Sequence, residues 1–486
     1  MMCYRANTLK HYEIENLLTT QSSYRRPQII PCFRRFYHEV ILYRSIRRFF
    51  VYFSYIYMKN KIIIKPKLLK GTRDFGPQQM AKRQYVMDTI VSVFKRYGYD
   101  TIETPVIEYA ETILGTAEEE SSKLTYTFAD NGGRNIALRY DQTVPTARYV
   151  AMNYANLPMP FKRYQISRVW RADKPARGRY REFYQCDVDI IGTESLLAEA
   201  EMIKIMDEVY TSLGLKDARI YINSRRLMNS ILSSFNIPTP VQPEVIRIID
   251  KCDKLTPTDI TAEIVEYMSI DVANELLGII SISGDNDSKI KKLNAYDVSE
   301  ISIILELAKQ WGVQMENIIF SPSLARGLDY YTGVIFEVRI PGVDVGSVCG
   351  GGRYDDLCSR FINKKISGVG VAFGFDRTII AMEERGLLDN TPLSSKVLVT
   401  YFDDTTLPYS LDILNTLQQA QINAEIYIEP ATLSTQLKYA NKKQIPYVVI
   451  VGPDEMKTNI VQLRNMETGI QETIPYTALQ TYMKNV

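Results

Sequence analysis

Apolar positions along the chain change period several times, and each change marks an element. Met87, Ile90, Val91 and Phe94 fall at helical spacing, Pro77 suits a first turn and Gly98 closes the run, so a helix is predicted between them. YDTIETPVIEY (99–109) then reads as an extended strand running into Pro105, and IALRYDQTVPTARYVAMN (136–153) as a strand, a turn and a helix entered near Pro145. FKRYQISRVWRAD (161–173) and RGRYREFYQCDVDIIG (177–192) alternate as two antiparallel strands flanking a loop at Gly178. From about 194 to 319 the rhythm is helical with mixed charge, as in LLAEAEMIKIMDEVYTSL and VSEISIILELAKQWGV, and reads as an inserted helical domain. Strand patterns return at GVIFEVRI (333–340), and GVGVAFGFDRTIIAM (368–382) passes from strand to helix.

A linker, LLDNTPLSS (387–395), precedes a new rhythm at 396. KVLVTYF, AEIYIE and YVVIVG are apolar runs separated by helical patterns, which predicts a small βαβ-type unit with a mainly parallel sheet. The fold class expected is therefore α+β: a mostly antiparallel sheet with flanking helices, interrupted once by a helical insertion and followed by a small α/β domain.

At 486 residues the chain is long enough for two or three domains. Its net charge is only +2, but residues 1 to 57 carry nine Lys and Arg against three Glu, a surplus of six that leaves the remainder at about −4. That basic extension has three readings: an untranslated leader ahead of Met58, a targeting peptide, or a folded element. The apolar stretch FFVYFSYIYM (49–58) is too short to span a bilayer. The six cysteines are scattered without a C-x-x-C pair, as in reduced cytosolic proteins. Both histidines, His11 and His38, fall in the extension. From Met58 onward a histidine base, a Ser-His or Cys-His nucleophile system and a His-ligated metal are therefore excluded. Chemistry there must run on carboxylates, arginines, tyrosines and groups of the substrate.

The segment 161–192 gathers Arg163, Arg168, Arg171, Arg177, Arg179 and Arg181, interleaved with Tyr164, Trp170, Tyr180, Phe183 and Tyr184, and ends in Gln185, Asp187 and Asp189. Edge-strand protection would explain a few of these cations. The aromatic interleaving and acidic end point instead to guanidinium forks for phosphate, a ring for a base and carboxylates for an ammonium-bearing substrate. SLARGLDYYTG (323–333) adds Arg326, Asp329, Tyr330 and Tyr331, with packing of the tyrosines on a sheet as the plainer explanation. GSVCGGGRYDDL (346–357) has three consecutive glycines, which suit either close approach to a ligand or a tight turn.

With KGTRDFGP (70–77), TPVIE, RVWRADKPARGRYREFYQCD, LARGLDYYTG, CGGGRYDDL and GFDR in this order, the sequence resembles histidyl-tRNA synthetases, a class II aminoacyl-tRNA synthetase family, over about residues 68 to 486. The wording YREFYQCDVDIIG is closest to eukaryotic and some bacterial members. The resemblance implies ATP-dependent ligation of L-histidine to tRNA(His) through a histidyl-adenylate, with the carboxylate of histidine as nucleophile. It implies Arg171 and Arg326 as catalytic cations on the α-phosphate. Asp173, Arg179, Phe183 and Arg377 would complete the ATP site, Phe183 stacking on adenine. Asp141, Thr143 and Gln185 would receive the α-ammonium, Asp189 and Tyr331 would bracket the imidazole, and Gln142 and Tyr330 would line the same pocket. ATP arrives with Mg2+, and no protein-only metal site is expected.

By the same resemblance, residues 58–222 are the first part of a catalytic domain, 223–319 a helical insertion, 320–390 its second part and 394–486 an anticodon-binding domain, in which Lys438, Lys442 and Lys443 suit phosphate contact. A homodimer is implied, with 68–108 at the interface and Pro105 at its centre, as is a cytoplasmic location unless residues 1–57 are a presequence. A paralogue acting as regulatory subunit of ATP phosphoribosyltransferase, or a tRNA-sensing module, would be expected to lack the terminal domain, to have an eroded RGLDYY, or to carry an effector domain.

Overall fold

A computed structural model describes residues 64–115, 124–252, 255–325 and 331–485, so the N-terminal extension, Arg326 and Tyr330 lie outside the described residues. The chain divides into residues 1–68 and 69–486, and every element below belongs to the second unit.

Helix α1 (Pro77–Arg96) begins with a proline whose missing N–H is not needed in a first turn. It ends where Gly98, at φ +75°, donates its N–H to the Lys95 carbonyl (3.1 Å). Strand β1 (Asp100–Thr101) follows, then β2 (Ile107–Tyr109), α2 (Ala110–Leu114), β3 (Thr127–Ala129) and β4 (Asn135–Leu138), of which β2, β4 and β3 form a small antiparallel sheet. Helix α3 (Thr143–Asn153) leads into the hairpin of β5 (Phe161–Trp170) and β6 (Glu182–Ile191), paired without interruption from Phe161↔Ile191 to Trp170↔Glu182. Helix α4 (Leu197–Ser212) and β7 (Arg219–Ser224) come next.

Six helices then intervene: α5 (Arg225–Ser234), α6 (Gln242–Ile249), α7 (Pro257–Ile264), α8 (Ile270–Ile280), α9 (Asn286–Lys292) and α10 (Ser299–Gln310). The chain returns through β8 (Ile318–Phe320), β9 (Val334–Arg339), β10 (Cys349–Tyr354), β11 (Gly368–Phe373) and α11 (Phe375–Glu384). Among the described residues the main sheet has the order β1-β5-β6-β11-β10-β9-β7-β8, parallel only at β1·β5 and β7·β8. The mostly antiparallel sheet expected from the sequence is thus present. Because β7 and β8 pair with each other, the intervening helices leave and rejoin the sheet at neighbouring strands. Their Leu227, Ile231, Val245, Leu276 and Ile304 share one apolar cluster with Met206 of α4 and with Phe336 and Val338 of β9.

Strand alternation decides where the core ends and the site begins. Cys186, Val188 and Ile190 of β6, with Val369, Val371 and Phe373 of β11, pack in that cluster with Ile90 and Phe94 of α1 and Met202 and Met206 of α4. The intervening Gln185, Asp187 and Asp189 therefore project from the opposite face, where β11 offers only Gly370 and Ala372 beside them.

The terminal region comprises β12 (Val397–Val399), α12 (Leu407–Gln419), β13 (Ala424–Ile426), α13 (Leu433–Lys443), β14 (Tyr447–Ile450), α14 (Pro453–Thr458), β15 (Ile460–Asn465), β16 (Gln471–Pro475) and α15 (Tyr476–Asn485). Its sheet has the order β13-β12-β14-β15-β16. The expectation of a mainly parallel sheet is corrected: β12 pairs parallel with β13 and β14, but β14·β15 and β15·β16 are antiparallel. The Asn465 side chain accepts from the N–H groups of Glu467 and Thr468 (2.9 and 3.0 Å), and Gly469 sits at φ +73°, which together turn the chain back on itself.

Candidate active site

A cleft of about 250 Å³ opens between the β5–β6 connection, the approach to β10 and the start of α11, lined among others by Arg171, Asp173, Arg179, Phe183, Gln185 and Arg377. Residues more than 200 positions apart meet there because β6, β11 and β10 are adjacent strands. The Arg171 Nε donates to the Tyr140 carbonyl (3.0 Å), and its guanidinium lies 5.2 Å from the centre of the Phe183 ring. Arg377 donates to the carbonyls of Ser347 (2.8 Å) and Gly178 (3.3 Å), so both cations are held by backbone oxygens.

The six clustered arginines divide sharply, correcting the idea that they all serve an anion. Arg171 and Arg179 line the cleft. Arg163 is fully buried and lies 2.5 Å from Asp189. Arg168 pairs with Glu182 (3.1 Å), Arg177 with Glu384, and Arg181 donates to the carbonyls of Asp173 and Lys70.

GTRDFGP braces the cleft from outside. Arg73 and Arg83 both donate to one oxygen of Asp376 (2.8 and 2.6 Å), a cleft-lining carboxylate of GFDR, and the Arg73 guanidinium stacks 3.2 Å from the centre of the Tyr180 ring. Sequence reasoning missed Asp376 and Arg83. No local pattern marks them, since 293 positions separate the partners.

Beside the cleft lies a buried polar group. Asp141 is buried; one oxygen caps the Val144 N–H (3.3 Å) and the other has no hydrogen-bond partner. Burial pushes its carboxyl up to about 6, against the pull of the helix N–H of Val144 and of Arg171. Gln142 donates to the Ser167 carbonyl and hydroxyl (both 3.0 Å) and to the Gln185 carbonyl (3.3 Å), while its own side-chain oxygen, like that of Gln185, has no partner. Thr143 opens α3 and is half-buried, as is Tyr331. Asp189 accepts from the Tyr354 hydroxyl (2.7 Å). Its contact with Arg163 is close, yet no N–H is aimed along it as a hydrogen bond. Burial raises the Asp189 carboxyl, and Arg163 and Tyr354 oppose the rise. A Cβ at Gly370 would collide with this carboxylate, which is why glycine stands there. Tyr354 too was missed from sequence, although its motif, CGGGRYDDL, was read.

Among the described residues no group of three or more His, Cys, Asp and Glu could hold a metal ion. An arrangement with fixed cations and an aromatic ring at one end, and unpaired acceptors at the other, suits a nucleotide set against a small cationic substrate.

A family model described as "Histidyl-tRNA synthetase" matches residues 71–378. The chain belongs to the histidyl-tRNA synthetase family. A second model, "Anticodon binding domain", matches residues 392–486. Histidine–tRNA ligase of Bacteroides fragilis is 39% identical over 443 residues, covering 84% of this chain and 97% of that protein; that of Cytophaga hutchinsonii is 37% identical over 444 residues, covering 85% and 98%. Histidyl-tRNA synthetase from Nostoc sp. superposes with a TM-score of 0.79 at 29% identity, covering 87% of this chain and all of the other. A Bacillus halodurans structure titled ATP phosphoribosyltransferase regulatory subunit/histidyl-tRNA synthetase, 21% identical, shares the fold at a TM-score of 0.66 over 79% of this chain. The class II synthetase architecture of the family is thus the one built here from β1 to α11.

Proposed function

We infer that the protein ligates L-histidine to tRNA(His) in two steps. A carboxylate oxygen of histidine attacks the α-phosphorus of ATP, the bond to the β-phosphate oxygen breaks and pyrophosphate leaves. A ribose hydroxyl of the terminal adenosine of the tRNA then attacks the acyl carbon of the adenylate, and AMP leaves. The observation that carries this reading is the cleft holding Arg171, Arg179, Phe183 and Arg377 against Gln185, whose carbonyl accepts from Gln142 next to the buried Asp141.

Arg171 and Arg326 act on the α-phosphate, and preorganised cations there stabilise charge that grows in the transition state. Arg377 meets the terminal phosphates, Phe183 stacks on adenine, and Arg179 and Asp173 complete the nucleotide site. The backbone hydrogen bonds of Arg171 and Arg377 support these roles, since they fix the guanidinium groups before substrate arrives. Asp141, Thr143 and Gln185 receive the α-ammonium; Asp189 and Tyr331 bracket the imidazole, with Gln142 and Tyr330 alongside. Mg2+ accompanies the phosphates of ATP, as a hard cation with oxygen ligands does.

Residues 58–222 and 320–390 form the catalytic domain around the insertion 223–319, and 394–486 reads the anticodon. In the last, Lys443 already pairs with Glu425, which leaves Lys438 and Lys442 the better candidates for phosphate contact. The protein works as a homodimer through 68–108, supported by Val106, Ile107, Tyr109 and Phe128, which lie exposed on or beside the small sheet around Pro105. Its place is the cytoplasm, or an organelle if residues 1–57 are a presequence; among the described residues no helix is long and apolar enough to cross a membrane.

Histidine-dependent ATP–pyrophosphate exchange is the test. Robust exchange is expected; a folded sample that binds ATP and exchanges nothing with histidine would favour the regulatory paralogue. Deletion of residues 1–57 is expected to leave tRNA charging intact.

A further inference from the structure

On the inner face of β6, Asp187 sits between Gln185 and Asp189, opposite Gln165 of β5 and Ala372 of β11. It is 2% exposed, and neither oxygen has a hydrogen-bond partner. Asp189 is engaged by Arg163 and Tyr354, and Asp141 by the Val144 N–H, whereas Asp187 has no ion pair or hydrogen bond among the described residues. A buried carboxylate left in this state is costly unless something with N–H groups and positive charge completes it.

Around it, the buried oxygens without a hydrogen-bond partner are those of Asp141, Gln142, Gln185 and Asp189, and the Arg163 nitrogens are the donors in the same state. Gln142 and Gln185 are held together through the bond from the Gln142 amide to the Gln185 carbonyl. Ala372, which lines the cleft, sets only a methyl group beside Asp187. Three buried carboxyl groups and two free amide oxygens outnumber the one buried guanidinium of Arg163, so the cluster fits a further group with several N–H bonds and a positive charge, which among the substrates of the proposed reaction is the ammonium of the amino acid.

We propose that Asp187 is a further substrate-binding residue, whose carboxylate takes the α-ammonium of the amino acid together with Asp141 and Gln185 and so discriminates against ligands that lack this group. The inference rests on the histidine-activating reading of the same cleft. It also explains how Asp189 can stay tied to Arg163 and Tyr354 while the site keeps a carboxylate for the substrate. Burial pushes the Asp187 carboxyl up to about 8; Arg163 opposes this, and Asp189 and Asp141 add to it. An arriving cation is what restores its ionised form at neutral pH.

The full-length protein is titrated with two probes, histidinol, which keeps the ammonium and imidazole, and 3-(imidazol-4-yl)propionate, which lacks the ammonium. Asp187→Asn is expected to weaken histidinol at least about tenfold, the loss typical of a charge-assisted bond, and to leave the propionate within about twofold. Asp187→Ser should repeat this pattern, and unchanged ATP binding in both variants reports an intact cleft. Equal losses for both probes would mean that Asp187 acts only by placing Arg163 and Asp189, which overturns the proposal. Unaltered histidinol binding overturns it too, while histidine-dependent exchange by the wild type leaves the functional reading standing. A wild type that shows no histidine-dependent exchange overturns that reading and the role of Asp187 with it.

Discussion

The two sheets of the protein use their faces in opposite ways. In the terminal sheet, Val397, Val399 and Val449 pack into one apolar cluster with Ile413, Leu417 and Leu479, and Leu398, Val448 and Ile450 into a second with Ala440 and Ile445, so both faces are core. In the main sheet one face is core, while the other carries Arg163, Gln165, Asp187 and Asp189, all nearly inaccessible to water. The terminal sheet is built for stability and leaves recognition to its surface. The main sheet accepts buried charge on the face that we assign to the site.

The sharpest way to break this contrast is to remove a cation from the polar face. Arg171→Ala is expected to lower the histidine-dependent exchange rate by about 10²- to 10³-fold, the scale of one lost oxyanion donor, with little change in melting temperature. Exchange assays at saturating ATP and histidine check this. A loss of only a few fold would move the catalytic charge elsewhere.

Next in size is the ion pair that ties β10 to α4 on the core face. Arg353 donates to both carboxylate oxygens of Glu199 and to the Thr193 carbonyl (2.8 Å), with both side chains excluded from solvent. Arg353→Met leaves a buried carboxylate alone and is expected to cost about 3–5 kcal/mol in denaturant unfolding. On the apolar side of the comparison, Leu463→Ala in β15 should cost about 2–5 kcal/mol through a cavity. Its histidine-dependent exchange should stay at the wild-type rate while tRNA charging falls.

The smallest effect reads the polar face by pH. Asp141 and Asp187 keep protons in the fold that they would release on unfolding, so stability falls as pH rises from the ordinary carboxylate range through about 6 for Asp141 and about 8 for Asp187. Removing the ionisable group removes that loss. Asp187→Asn is therefore expected to melt a few degrees above the wild type at about pH 9, with the gap closing towards about pH 4. Melting curves across that range without added histidine decide it; a gap that does not depend on pH would mean the carboxyl is not held protonated by the fold.

Alternation along 161–170 and 182–191, the Pro77 and Gly98 boundaries of α1 and the strand-to-helix passage at 368–384 were legible in the chain, because each depends on residues within a few positions of one another. The motifs themselves were enough to place the chain in its family. The reversal at Asn465–Gly469 was legible in principle, since an Asn and a Gly flank a tight turn, but the strong apolar runs before it suggested a mainly parallel sheet.

What only the tertiary structure decided is which charges meet. Six arginines in one segment look equivalent in sequence, yet pairing across β5 and β6 sends Arg163 to Asp189 inside the protein and leaves Arg171 and Arg179 on the cleft. Asp187 and Asp189 are two residues apart on one face, and only the approach of Arg163 and Tyr354 from other strands gives one a set of partners and the other none. Periodicity is a local property of the backbone, whereas the partner of a buried charge is set by which distant strands are neighbours, and a single chain does not state that directly.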